Sequence, residues 1–64
     1  MLKNKLKSWR FKYEMNQTEF AQILGVKVAQ YNRWENQKQQ PEIETAFKIA
    51  NKIGCKIDDL FEFE

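Results

Sequence analysis

The chain has no histidine, one cysteine, one proline and two glycines among its 64 residues. Without histidine it lacks the commonest general base and the commonest metal ligand. A lone Cys55 can neither close an internal disulfide nor build a zinc site by itself. One thiol, together with the lack of a signal-like apolar N-terminus, points to a cytoplasmic protein. No apolar stretch approaches the roughly 18 residues of a membrane span. Linkers, repeats and low-complexity segments are also missing, so residues 1–64 read as one domain. A chain of this length buries only about 60% of its unfolded surface, which leaves no room for a catalytic cleft beside a core. There is no nucleophile–base pair either, so an enzyme is not expected. Neither are a metal, a cofactor or a small-molecule effector.

What is present is large apolar side chains and a lopsided charge. The chain is 42% hydrophobic, with five Phe, two Trp and two Tyr to fill a small core. Its net charge of +2 is uninformative, but the distribution is not. Residues 1–38 carry eight Lys or Arg against three Glu, a balance of +5. Residues 39–64 carry three Lys against six acids, a balance of −3. A basic first part joined to an acidic last part suggests a polyanion met by one end of the molecule.

Periodicity predicts five helices and no interior sheet. Leu2, Leu6, Trp9 and Tyr13 fall on one helical face, which places a first helix over roughly residues 2–13. Asn16 is the expected cap of a second helix, with Glu19 three residues on as the other half of a capping box. Phe20, Ala21 and Leu24 form its buried stripe, and Gly25 ends it in the left-handed conformation. A third helix is expected from Lys27 or Val28 to Glu35, with Tyr31 and Trp34 turned back toward the second. Its cap is weak, because Lys27 has no side-chain oxygen. Pro41 introduces a fourth helix with Ile43, Ala46, Phe47, Ala50 and Ile53 as its stripe, closed by Gly54. Ile57, Leu60 and Phe61 give one more apolar turn, with Asp58 and Asp59 where the helix dipole favours acids. The terminal Phe61-Glu62-Phe63-Glu64 alternates like a strand, either a frayed end or a segment that pairs with a second chain. Cys55 is expected to fill core space.

The run N-Q-T-E-F-A-Q-I-L-G-V, then R-W-E-N, then P-E-I-E-T-A-F-K-I-A-N-K-I-G and I-D-D-L-F resembles lambda-repressor-type (xenobiotic-response-element type) helix-turn-helix proteins along nearly the whole chain. The resemblance implies an all-α, compact five-helix DNA-binding domain with the helix-turn-helix at helices 2 and 3. Ala21 is small where the third helix would cross the second, and Gly25 permits the abrupt turn. The resemblance also implies a partly buried ion pair between Arg10 and Glu35.

On that register the third helix enters the major groove of double-stranded DNA and leaves Val28, Ala29, Asn32 and Arg33 outward. Gln17 is placed to touch backbone and an adenine edge, and Lys27, Asn36 and Lys38 to meet phosphate. Asn32 suits adenine and Arg33 suits guanine, while Val28 and Ala29 can only lie against thymine methyls. So few polar readers imply modest preference from one copy, and hence a homodimer on two half-sites. The sequence reading is therefore a repressor-like transcriptional regulator. The apolar pair leaves one alternative, a partner-binding or antitoxin-type module on the same fold.

Overall fold

A computed structural model describes all 64 residues. The chain runs β1 (Leu2–Asn4), α1 (Leu6–Lys12), α2 (Gln17–Leu24), α3 (Val28–Glu35), α4 (Ile43–Ile53), α5 (Ile57–Leu60) and β2 (Phe61–Phe63). Five helices form, as expected, and a short two-stranded ribbon that was not expected is added to them. The residues expected to begin the first helix are a strand, and the terminal segment expected to fray or to meet a second chain pairs with it. The two strands run antiparallel, with Leu2 opposite Phe63, Lys3 opposite Glu62 and Asn4 opposite Phe61. Lys3 also reaches Glu64 at 3.0 Å.

The reason lies at Asn4, a residue that the helical stripe passed over. Its Oδ1 accepts the Leu6 N–H at 3.1 Å, so α1 starts there and not at Leu2. Its Nδ2 donates to the Trp34 carbonyl at 2.7 Å and to Gln40 Oε1 at 2.8 Å. The Asn4 backbone N–H donates to Gln37 Oε1, and Gln37 Nε2 donates back to the Asn4 carbonyl, both at 3.0 Å. Gln37 itself is held at φ 60°, a left-handed backbone that costs a non-glycine residue about 1–2 kcal/mol. The side-chain clamp on Asn4 offsets that strain. What reads as a polar loop after the third helix is thus the bracket that holds the ribbon to the helical body.

The core is Leu6, Phe20, Ala21, Leu24, Tyr31, Trp34, Ile49, Ala50, Ile53 and Leu60. Phe20 meets Tyr31 edge-to-face at 5.6 Å between ring centres, a geometry that adds about 0.5–1.5 kcal/mol to burial alone. On α4 the buried stripe is Ala46, Ile49, Ala50 and Ile53, the i, i+3, i+4, i+7 pattern. Two residues assigned to that stripe from sequence, Ile43 and Phe47, point outward instead. The C-terminal ends of α2 and α4 are covered by borrowed donors. Lys52 Nζ donates to the Leu24 carbonyl at 3.2 Å, and the Tyr13 hydroxyl donates to the Ile53 carbonyl at 2.5 Å. Both satisfy carbonyls that a helix cannot pair internally.

Replacing Asn4 by Ala leaves the Leu6 N–H without a partner in a buried place and removes one of the two donors to the Trp34 carbonyl, which keeps the Gln37 N–H. Urea unfolding should show a loss of about 2–3 kcal/mol while far-UV dichroism stays helical. A loss below 0.5 kcal/mol would show that the ribbon is not anchored through this side chain.

Candidate nucleic-acid interface

The α2–α3 unit begins with a complete capping box. Asn16 Oδ1 accepts the Glu19 N–H at 2.8 Å, and Glu19 Oε1 accepts the Asn16 N–H at 3.0 Å. It turns at Gly25, whose φ of 76° lets the Val26 N–H close back onto the Ala21 carbonyl at 3.0 Å. A Cβ at Gly25 would be strained by that φ and would also come within 3.1 Å of Lys52 Nζ. Ala21 is fully packed on a helix that lies against α3, so a larger side chain there would have to displace its neighbours. α3 starts from an extended Lys27 with no side-chain cap.

The hinge of the unit is charged. Arg10, on α1, donates Nε to Glu35 Oε2 at 2.9 Å and Nη2 to Glu35 Oε1 at 2.8 Å, a two-pronged pair. Its Nη1 donates to the Met15 carbonyl at 3.1 Å, and its plane lies 4.8 Å from the Phe11 ring centre. The Glu35 side chain is only 4% exposed and that of Arg10 12%. Burial alone would raise the Glu35 pKa. The Arg10 hydrogen bonds, aided by the Tyr31 hydroxyl and the Gln17 amide, outweigh it and hold the carboxyl at about 2. The same hydrogen bonds push the Arg10 guanidinium up. Tyr31 is raised by its own burial and then by the Glu35 carboxylate. The Cys55 thiol is raised too, by burial and then by Asp59, so it is not a poised nucleophile.

A chain of side-chain amides leads from this pair to the outer face of α3. Gln17 Nε2 donates to Glu35 Oε1, Asn32 Nδ2 donates to Gln17 Oε1, and Asn36 Nδ2 donates to Asn32 Oδ1, each at 3.1 Å. An ionised carboxylate only accepts, so Gln17 must turn its NH2 inward and its oxygen outward. That orientation passes down the chain to Asn32 and Asn36.

Of the residues singled out from sequence, Gln17, Asn32 and Asn36 are joined by hydrogen bonds. Lys27, Val28, Ala29, Asn32, Arg33, Asn36 and Lys38 are exposed and Gln17 is half-buried. Arg33 is not free, because its Nη2 donates to Gln30 Oε1 at 2.8 Å, and Gln30 Nε2 donates to Gln39 Oε1 at 3.2 Å. Gln30 and Gln39 were not singled out; their amide character between the outward positions of the third helix and the following loop was the available signal. No group of three or more metal-ligating side chains forms.

The chain is similar to known proteins along nearly its whole length. A helix-turn-helix family model matches residues 6–60. An uncharacterized HTH-type transcriptional regulator of Methanocaldococcus jannaschii is 40% identical over 63 residues, spanning 98% of this chain and 96% of that protein. The transcriptional repressor RstR of the cryptic phage CTXphi of Vibrio cholerae is 33% identical over 60 residues, or 94% of this chain and 54% of the repressor. A crystal structure of a protein from Bacteroides fragilis superposes with a TM-score of 0.84 at 21% identity. It covers 97% of this chain and all of that one, and shows the same fold.

The Glu35 carboxyl lies below its ordinary 4.5 in the folded state. Its contribution to stability is therefore complete above about pH 5 and is lost as pH falls toward 2, an effect on the order of 2–3 kcal/mol. Urea midpoints between pH 6 and pH 2 should fall in the wild type and be flatter for Glu35→Gln, which starts lower. Parallel slopes would remove Glu35 as the acid-sensitive group.

Proposed function

The chain belongs to the lambda-repressor-like helix-turn-helix family of DNA-binding transcriptional regulators, and on that premise we propose that it binds double-stranded DNA as a homodimer in the cytoplasm, each copy laying α3 in the major groove. This is a family of regulators and not of enzymes. The observation that supports the reading best is the outer face of α3. It presents Val28, Ala29, Asn32 and Arg33 together, on a helix pair held by the buried Arg10–Glu35 bridge.

In this reading Asn32 and Arg33 supply the hydrogen-bonding base contacts, to an adenine and a guanine edge. Val28 and Ala29 lie against thymine methyls. Gln17 meets the backbone at the start of α2. Lys27 and Lys38 flank α3 and meet phosphates, joined by the Asn36 amide. The Gln17–Asn32–Asn36 chain holds these amides in one orientation before DNA arrives, which lowers the cost of ordering them on binding. Arg33 must exchange its Gln30 partner for a base.

One observation supports a second reading, a protein-binding surface. Val28 is 44% exposed and Ala29 lies beside it, and neither can hydrogen-bond a base. Pull-down of a protein partner through α3, with no retained duplex at low salt, would select that reading.

The test is site selection from random duplexes, followed by titration over a salt series. Affinity should fall steeply with salt. Arg33→Ala should cost about 1–3 kcal/mol at one base position and relax preference there. Lys38→Ala should weaken all sequences equally and lower the salt slope by about one. Salt-independent affinity, or an Arg33→Ala variant with unchanged preference, would count against base reading by α3.

A further inference from the structure

The hydrogen bonds that link Glu35, Gln17, Asn32 and Asn36 all run in one direction, and that direction has a meaning in a DNA groove. Glu35 Oε1 is shared by Arg10 Nη2 at 2.8 Å and Gln17 Nε2 at 3.1 Å. The carboxyl is held at about 2, so at neutral pH it only accepts. Gln17, half-buried beside it, keeps its nitrogen inward and shows its oxygen to α3. Asn32 meets that oxygen with its own nitrogen, and its Oδ1 is left toward Asn36, one turn along the helix. The run ends at Asn36 on an NH2 group whose second hydrogen is open to a phosphate oxygen. A carboxylate inside and a phosphate outside both accept only, so they ask for the same polarity.

We propose that Gln17 carries the polarity of the buried Glu35 carboxylate to Asn32, and so decides which DNA strand bears the adenine that Asn32 reads. In this role, which rests on the reading above that α3 contacts bases, Gln17 is a positioning residue that orients the reader.

After its two bonds within the protein, the Asn32 amide keeps one N–H and one oxygen lone pair. Adenine offers the complement in the major groove, with N7 accepting and the N6 amine donating. Across the groove an A·T pair shows acceptor, donor, acceptor and then the thymine methyl, and T·A shows the reverse order. An amide with nitrogen toward α2 and oxygen toward Asn36 matches one order. In the other it sets donor against donor and acceptor against acceptor. An unpinned asparagine turns over about its last side-chain bond and matches either. Size cannot make the choice, because the oxygen and the NH2 group are nearly alike in bulk. The bias is strongest at its source, where a hydrogen bond to an ionised carboxylate is about twice as strong as one between neutral groups. Arg33 has no such choice, since a guanidinium only donates. Asn32 is thus the base reader whose polarity has to be set from elsewhere.

Site selection with Asn32→Ala first finds the base pair that Asn32 reads, by the position at which preference relaxes. Affinity is then compared for duplexes carrying that pair as A·T and as T·A. The wild type should prefer one orientation by about tenfold or more. Gln17→Met keeps the length and loses both hydrogen bonds, so the ratio should collapse to about twofold or less. Gln17→Lys only donates, to Glu35 on one side and to the Asn32 oxygen on the other, so the preferred orientation should reverse. Overall affinity is not the readout, because an added charge strengthens binding to every duplex. In the free wild-type protein, NMR couplings across hydrogen bonds should run from the Gln17 side-chain nitrogen to the Glu35 carboxyl carbon. They should run likewise from the Asn32 nitrogen to the Gln17 carbonyl carbon. Couplings in the opposite direction overturn the assignment without any DNA. No affinity of the wild type for any duplex sinks the DNA reading, and the strand choice with it. Specific binding in which both Gln17 variants keep the wild-type orientation and ratio sinks the strand choice alone.

Discussion

The structure depends first on where one carboxylate sits. Glu35 is the single buried acid, at the last position of α3, and it is tolerable there because a guanidinium meets both of its oxygens. Removing either partner leaves an uncompensated charge, a cost of about 3–5 kcal/mol, which is a large share of the roughly 3–10 kcal/mol that stabilises a domain of this size. The bridge also decides geometry. Arg10 arrives from α1 and touches the Met15 carbonyl on its way, so α1, the α1–α2 turn and the end of α3 are fixed to one another. The third lone-pair site goes to Gln17 at the start of α2. Three helices are thereby referenced to one point.

The outer surface of α3 inherits order from that point. Side-chain amides on an exposed face normally choose between two orientations of nearly equal energy, and the choice matters because a donor and an acceptor exchange places. Here the acceptor-only carboxylate breaks the tie at Gln17, and the hydrogen bonds to Asn32 and Asn36 carry the result outward. Val28 and Ala29 need no such control. The face thus divides into a part whose polarity is set from inside and a part that offers only shape.

Most of the helical scaffold was legible in the sequence, for local reasons. Asn16 with Glu19, Gly25, the Phe20–Ala21–Leu24 stripe and Tyr31 with Trp34 act within one or two turns, and each is found where its chemistry requires. The errors share a different cause. Leu2 extends the Leu6–Trp9 spacing by one helical turn, yet residue 2 is a strand because residues 61–63 offer it a partner and Asn4 turns the chain. Alternation at Phe61–Phe63 signalled a strand correctly but could not say which chain it would join. The α4 stripe was rotated because Ile43 and Phe47 are as apolar as Ile49, and only tertiary packing selects between them. Gln37 and Gln40 carry no local signal at all, since their partner lies more than thirty residues away. The outward set on α3 followed from the register of the motif, whereas Gln30 and Gln39 as partners around Arg33 did not.

The ribbon bears on how this chain comes to be folded. α2 and α3 are neighbours in sequence, so their contacts close a loop of only a few residues and form at small entropic cost. β1 and β2 lie at opposite ends, and bringing them together closes nearly the whole chain. On a chain made from its N-terminus, Asn4 is synthesised early, yet its strand has no partner until Phe61 to Phe63 have been added. Closure of the ribbon therefore carries the largest entropic cost of any contact in the fold, whereas the start of α1 rests on the local Asn4–Leu6 bond. The helix pair is held by contacts close in sequence, and the ribbon by contacts that span the chain.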